Sequence, residues 1–260
     1  MRRMLSRWVV PARWVVPAIL LTTTPPAMAQ SLNINLADGI SVTSQLIQLV
    51  ILITVLSLAP SIIVMVTSFT RIVVVLSFLR TALGLQQTPP NAVLISLALF
   101  VTGFIMAPTL EKVYQQGLAP LLDEQIEPTE AFERASMPVR HFMLEHVRGK
   151  DLELFLEIAQ PPDAEGSPVI ENPDDTPLRS LIPAFMISEL RRAFEIGFLI
   201  FIPFLIIDMV VASILMSMGM MMLPPVLISM PFKLIFFVLV DGWYLIVGSL
   251  VASYGSAGGV

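Results

Sequence analysis

Two aspartates on neighbouring apolar segments are the residues of this sequence that could most directly do chemistry. Asp208 and Asp241 lie on successive apolar arms towards the end of the chain. One protonated and one ionised carboxylate could activate a water molecule, as in an intramembrane aspartyl protease. Asp241, however, stands in the sequence LVDGW, without the Gly-x-Gly-Asp context of such proteases. No P-loop, G-x-S-x-G or H-E-x-x-H motif occurs either, so the sequence predicts no enzyme.

A methionine-rich stretch, MSMGMMMLPP at residues 216–225, is the second feature with chemical potential. It holds five of the chain's 15 methionines, is interrupted by Gly219 and ends at Pro224 and Pro225. Thioether ligands suit Cu(I), so transport of a small ion or of copper is one hypothesis. The unbranched, polarizable side chain could equally fill an irregular hairpin core or mould around another molecule. The residues alone leave these alternatives open.

Other metal-binding residues are scarce. His141 and His146 are the only two histidines, five positions apart in a charged segment, and we expect both to be solvated surface residues. The chain has no cysteine, which excludes disulfides and thiolate metal sites. We therefore expect no bound metal and no cofactor.

The composition indicates an integral membrane protein. Of the 260 residues, 55% are hydrophobic and only 13% are charged, against roughly 25% charged in soluble domains. Residues 111–180 contain six Lys/Arg and 15 Asp/Glu, a net charge of −9, and the remaining nine Lys/Arg and five Asp/Glu give +4. One acidic soluble segment is thus set within an apolar chain, which argues against nucleic acid as a partner.

The N-terminal segment, residues 1–29, reads as a cleaved signal peptide. Four arginines precede a short apolar stretch at 15–21, and the small-x-small sequence Ala-Met-Ala stands directly before Gln30. This is the outline of a secretory signal, although an uncleaved amphipathic anchor is the alternative. Cleavage would leave the mature N-terminus outside the cytoplasm.

Long apolar segments organise the rest of the chain. Helices are predicted at 46–66, 67–84, 92–110, 193–217 and 226–252. The first of them has 21 positions without a charge, enough to cross a bilayer core of roughly 30 Å. We expect four spans, or five helices if 46–84 breaks near Pro60.

The spans define the expected domain organisation. Residues 30–110 would form N-terminal helices and the first two spans. Residues 111–180 would form an acidic periplasmic segment, which begins as an amphipathic helix and ends in a mobile Pro- and Asp-rich linker. Residues 181–252 would form a helical hairpin that carries the methionine-rich loop, and 253–260 a tail.

Charged residues within or beside the apolar segments form a further candidate group. They are Arg71, Arg80, Glu189, Arg191, Arg192, Glu195, Asp208, Lys233 and Asp241. A charge facing lipid at the centre of a span costs on the order of 3 kcal/mol or more, so they must pair, snorkel or line a wet interior. We expect Glu195, Asp208, Lys233 and Asp241 to be buried in helix–helix contacts, with Lys233 paired to an acid on its own or an adjacent copy.

The expected membrane topology also indicates that the charged residues lie in helix–helix contacts. An exported N-terminus and four spans place 111–180 outside, which makes Arg191 and Arg192 external flanks, against the usual cytoplasmic enrichment of Lys and Arg. The external position of these arginines is explained if the helices pack inside an assembly and are not independent spans surrounded by lipid. The small-residue spacings Ala193/Gly197, Ser213/Ser217 and Gly248/Ala252 would permit close helix contact.

Three long segments carry a family resemblance: MVTSFTRIVVVLSFLRTALGLQQTPPN (65–91), PAFMISELRRAFEIGFLIFIPFLIIDMVVASILMSMGMMMLPP (183–225) and PFKLIFFVLVDGW (231–243). They closely resemble the export-gate family of type III secretion, the FliP/SctR family, over about residues 46–252. Ala92 and Tyr244 depart from the residues usual there, which affects turn details only.

The resemblance implies an all-helical subunit that assembles into an oligomeric pore, a pentamer together with FliQ and FliR. It also implies other export components such as FlhA and FlhB, unfolded flagellar proteins as substrates, and an inner-membrane place in the flagellar basal body. By the same resemblance, Met220, Met221 and Met222 would form the constriction of the pore. Gly219 would then give the loop backbone freedom, and Pro224 and Pro225 would end the preceding structure.

Overall fold

The computed structural model describes residues 42–160, 173–220 and 223–255. The predicted signal peptide, most of the Pro-rich linker, Met221 and Met222 lie outside the described residues. The chain divides into two compact units between Leu52 and Ile53. The described residues of the first unit belong to the beginning of one helix, and the architecture below is that of the second unit.

Within the described ranges the chain is helical and contains no strand, which confirms the predicted all-α class there. The helices are α1 (Val42–Val66), α2 (Phe69–Ala82), α3 (Asn91–Val113), α4 (Ala119–Leu122), α5 (Pro128–His146), α6 (Gly149–Ile158), α7 (Leu178–Ser217), α8 (Pro225–Leu239) and α9 (Gly242–Gly255). A π-helical turn, Tyr114–Leu118, joins α3 to α4, and a 3₁₀ turn, Pro173–Asp175, precedes α7.

Two helical stretches are long and apolar enough to cross a membrane, Asn91–Leu122 and Leu178–Ser217. Two bent pairs, Leu49–Leu58 with Pro60–Val66 and Pro225–Leu239 with Gly242–Gly255, raise the number to four if each pair is one span. By length and composition, the described residues therefore supply two to four candidate spans.

The predicted boundary between the first two apolar helices agrees with the structure, because α1 ends at Val66 and α2 begins at Phe69, with Thr67 and Ser68 between them. Pro60 lies inside α1, at a bend and not at a helix end. The hydroxyl of Thr67 donates to the carbonyl of Ile63 at 2.8 Å, a local bond that competes with helical continuation.

The last predicted arm, 226–252, is not one helix. It breaks at Val240–Asp241, and α8 and α9 meet at a bend of 63°. Asp241 adopts a φ of 50°, a left-handed conformation that Asp tolerates better than most residues. Gly242 allows the ring of Phe237 to lie where a Cβ would otherwise be, 2.1 Å from the nearest ring atom. The Asp-Gly pair is a turn signal that the apolar surroundings concealed.

Helix α2 lies at the centre of the second unit. Its buried side chains Ile72, Val75 and Leu76 pack with residues of α3, α7 and α9, and Leu79 packs with Phe204 and Phe237. At Gly197 of α7 a Cβ would stand 2.5 Å from the ring of Phe78, so α2 and α7 approach closely there. Ala193, one turn earlier, is fully buried. This small-residue pair makes the close contact, whereas Ser213, Ser217, Gly248 and Ala252 are exposed.

The acidic segment is folded onto the apolar helices. Phe142 and Met143 of α5 pack with Met106 of α3, Leu181 and Phe185 of α7 and Tyr254 of α9. Its amphipathic beginning therefore supplies part of the core, while most of the acids described in it, such as Glu130, Glu145 and Glu153, are exposed.

Candidate functional site

A buried ion pair joins α2 to α7. Arg71 and Glu189 are both fully buried, and Arg71 Nε donates to Glu189 Oε2 at 2.8 Å. Arg71 Nη2 donates to Glu189 Oε1, so the contact is bidentate. Such paired bonds between ionised groups are about twice as strong as neutral ones and fix the mutual orientation of the two helices.

Helix α9 completes this cluster. Arg71 Nη1 donates to Ser253 Oγ at 3.0 Å, and the hydroxyl of Tyr254 donates to Glu189 Oε2. The guanidinium carbon lies 3.8 Å from the centre of the Tyr254 ring, a cation–π geometry. Ser253 and Tyr254 were not predicted from the sequence, because a Ser and a Tyr in an apolar C-terminal segment carry no signal of the arginine that they meet.

A second ion pair joins α7 to α8. Lys233 Nζ donates to Asp208 Oδ2 at 2.6 Å, with the lysine side chain 4% and the aspartate 33% exposed. Lys233 also donates to the carbonyl of Ala82 at the end of α2, 3.2 Å away. Ser229 donates to Asp208 Oδ1 at 2.5 Å. The predicted acid partner of Lys233 is thus Asp208 of its own chain, and Ser229 is a member of the cluster that the sequence did not single out.

Both oxygens of Asp208 are therefore engaged by Lys233 and Ser229. Asp241 lies exposed at the break between α8 and α9. The structure does not combine the two aspartates into a carboxylate pair that shares a proton.

The remaining charged candidates are less buried in the chain. Arg80 is half-buried and donates to the side chain of Asn91 at 2.5 Å. Arg192 is half-buried beside the first cluster. Arg191 and Glu195 are exposed and pair with each other at 2.9 Å, because residues four apart share the outward face of α7. Glu195 and Asp241 are exposed among the described residues, so their expected burial stays a prediction about an assembly.

His146 corrects the expectation of two solvated histidines. It is buried, and its Nδ1 lies 2.7 Å from the carbonyl oxygen of Phe142. Its ring lies 4.9 Å from that of Tyr254, which follows from its position one turn after Phe142 on the face of α5 that meets α9. His141 is exposed, 3.2 Å from Asp174.

The methionine-rich turn is built around Gly219. Gly219 has a φ of +75°. Its N–H donates to the carbonyl of Met216 at 3.1 Å, and the N–H of Met220 donates to Leu215 at 3.0 Å. These two bonds form a Schellman motif, in which glycine at the left-handed position ends a helix. Gly219 thus terminates α7.

The other end of the turn is set by proline. Pro224 precedes α8, and Pro225 is its first residue, a position where the missing N–H costs nothing. Between the two helices Met218, Met220 and Leu223 are 61%, 43% and 48% exposed. Exposed apolar side chains on a turn are available to meet another molecule.

The fold and its charged clusters define a class of protein. It is an all-helical chain in its described part, with two to four candidate membrane spans, and its arms expose apolar side chains such as Phe198, Leu199 and Val238. The charges inside those arms are largely neutralised by partners on neighbouring helices. These are the properties of a helical membrane protein.

Comparison with known proteins defines it further. The model of the FliP family matches residues 52–250. The flagellar biosynthetic protein FliP of Caulobacter vibrioides is 63% identical over 234 residues, which cover 90% of this chain and 86% of that protein. The protein of the same name from Bacillus subtilis is 54% identical over 87% of this chain and 100% of its own length. That from Aquifex aeolicus is 55% identical, over 80% and 85% of the two chains. The chain belongs to the FliP family and has a role in the flagellar export that this family serves.

Proposed function

We propose that the chain is a core subunit of the flagellar type III export gate and that copies of it form the pore through which unfolded flagellar proteins cross the inner membrane. The observation that carries this proposal is the exposed methionine-rich turn between two long apolar arms of a FliP-family chain. Exposed apolar side chains at a turn are unfavourable in an isolated subunit, whereas a ring of subunits would bring them together at one constriction.

Methionine suits such a constriction. Met220, Met221 and Met222 of every copy would meet around the axis, and their flexible thioethers would close on one another to hold back ions. The same side chains would then refit around any polypeptide that passes, without recognising one sequence. The Schellman end at Gly219 and the proline start at Pro225 would hold the two ends of the turn while its centre adapts.

The family suggests the surroundings of this pore. A pentamer with FliQ and FliR, served by FlhA and FlhB, would lie in the inner membrane at the flagellar basal body, with a signal peptide removed before Gln30. The acidic segment 111–180 would face the periplasm. Exposed Glu195 and Asp241 would be covered by other subunits.

A protein-export pore requires no enzyme activity of this chain. Membership of the FliP family favours this function over the transport of copper.

Cross-linking to a trapped substrate tests the proposal. The chain has no cysteine, so Met220→Cys would introduce a single thiol at the turn. A flagellar subunit that carries one cysteine and a folded C-terminal fusion would stall during export. We expect a disulfide between this subunit and the Met220→Cys variant, and none with the exposed Glu153→Cys control on α6. Equal cross-linking at both positions, or none at the turn, would contradict the proposal.

A further inference from the structure

A pocket beside the first charged cluster contains more hydrogen-bond donors than the residues described by the structure satisfy. It has a volume of about 400 Å³ and is lined by Arg71, Arg148, Arg192, Glu195, Ile196 and Ser253. Three of its six lining residues are thus arginines, from α2, from the residue before α6, and from α7. Arg71 donates its hydrogen bonds to Glu189 and Ser253, so Arg148 and Arg192 are the arginines whose donors could bind a ligand.

Arg148 has a buried donor without an acceptor. Its Nη1 atom is shielded from solvent and makes no hydrogen bond to any residue in ranges 42–160, 173–220 and 223–255. The carboxylate oxygen Asp151 Oδ2 lies 3.9 Å away, beyond hydrogen-bond distance, and accepts instead from the hydroxyl of Ser188 at 2.7 Å. Buried donors are satisfied in the great majority of cases, so an unsatisfied guanidinium nitrogen at a pocket wall calls for an absent acceptor.

Arg192 is the second arginine of the pocket in question. It is half-buried and forms no hydrogen bond or ion pair with the residues that the structure describes. The one acid in the lining, Glu195, is bound to Arg191 at 2.9 Å and faces outwards with it. Within this group Arg71, Arg191 and Arg148 are paired with Glu189, Glu195 and Asp151, the last pair at 3.9 Å and without a hydrogen bond. Arg192 is left as the excess charge, which gives the pocket a positive character.

We propose that this pocket binds a phosphate group. The guanidinium is planar and carries five donors, a geometry that fits the oxygens of a phosphate better than a point charge does. Arg192 stands where α7 passes into its long apolar part, and Ile196, Phe198 and Leu199 follow within two turns, the last two exposed. A phosphodiester of an anionic lipid would thus find its charge at the arginines and its acyl chains along the helix. Free phosphate shares the same chemistry.

Binding measurements on the full-length protein, in detergent and in nanodiscs, test this inference. The probes are inorganic phosphate, and nanodiscs of phosphatidylcholine with or without phosphatidylglycerol. Arg148→Gln and Arg192→Gln remove donors of the pocket. Arg192→Lys keeps the positive charge but removes the planar, paired donors of the guanidinium group. Arg179→Gln is the matched control, because it removes an exposed arginine from the same helix outside the pocket. Retained lipid is counted by native mass spectrometry, and phosphate binding by calorimetry.

We expect each glutamine variant to bind at least about ten-fold more weakly than the parent, as loss of a hydrogen bond between charged groups predicts. Arg192→Lys should be intermediate and Arg179→Gln unchanged. Retention of phosphatidylglycerol with this ranking assigns the pocket to a lipid headgroup, and the same ranking with inorganic phosphate alone assigns it to a free anion. Absence of both, or equal losses in Arg179→Gln, overturns the inference. So does a loss of oligomer without any phosphate binding, since the arginines would then receive a carboxylate from another copy.

Discussion

Arg71→Met is expected to be among the most damaging single substitutions in the chain. The substitution keeps most of the buried volume but removes two hydrogen bonds to Glu189, one to Ser253 and the stacking on Tyr254. Glu189 would stay fully buried with only the Tyr254 hydroxyl as a donor. Leaving one partner of a buried pair uncompensated costs roughly 3–5 kcal/mol, or about two to three and a half powers of ten in the folding equilibrium.

The natural control is an exposed arginine with the same partner type. Arg134 pairs with Glu130 four residues earlier, and their side chains are 50% and 47% exposed. Arg134→Met should cost no more than about 0.5 kcal/mol, since exposed pairs along a helix contribute little. The assay is guanidinium unfolding of the full chain in mild detergent, followed by fluorescence. Equal unfolding midpoints for Arg71→Met and Arg134→Met would refute the reasoning.

A double variant separates loss of the ion pair from loss of packing. Arg71→Met with Glu189→Gln leaves no ionised group in the cluster, so it should be more stable than Arg71→Met alone, by about 2 kcal/mol. If the two losses simply add, the buried charge is not the cause of the destabilisation.

Three further predictions follow from other parts of the chain. Lys233→Ala should reduce assembly of the complex and not only the export of protein through it, because Asp208 loses its buried partner. Native gels and secretion assays measure the two effects, and normal assembly with lost export would contradict this prediction. The protein in membranes should begin near Gln30, and intact-mass measurement would disprove cleavage if most molecules retained Met1. Gly197→Ala should destabilise the chain by about 1–3 kcal/mol through overpacking against α2, whereas Gly248→Ala, with open space around it, should be neutral or slightly stabilising. Thermal unfolding in detergent compares the two variants, and equal unfolding midpoints would contradict the close contact between α2 and α7.

Much of the fold could be predicted because its signals are local. Length and uninterrupted apolarity predicted the helical spans, and the cost of unpaired charge predicted that Lys233 needs an acid. Which acid it meets depends on how α7 and α8 cross, and that is a property of packing that periodicity does not contain. The same limit hid Tyr254, which stands 65 residues from Glu189 in the chain and hydrogen-bonds to it.

The errors have physical causes too. His146 was expected at the surface because its segment is acidic, yet α5 turns that residue towards α9 together with Phe142. The last arm was expected to be one helix because its composition is uniformly apolar, and the left-handed Asp241 with the compact Gly242 breaks it. Hydropathy is averaged over a window and therefore does not detect a helix break at one or two residues.

The measurement that tests the central claim most directly compares two replacements of the methionine turn. Met220, Met221 and Met222 are changed together to Ala or together to Leu, and membrane conductance is measured in cells beside secretion of a flagellar subunit. If deformable apolar bulk seals the pore, the alanine variant should leak ions, and the leucine variant, with similar volume but a stiffer side chain, should stay sealed and export less well. A copper relay predicts that both fail alike, since both lose the thioether. An alanine variant that remains tight in an assembly shown to be intact would contradict the account, because the seal would then lie elsewhere.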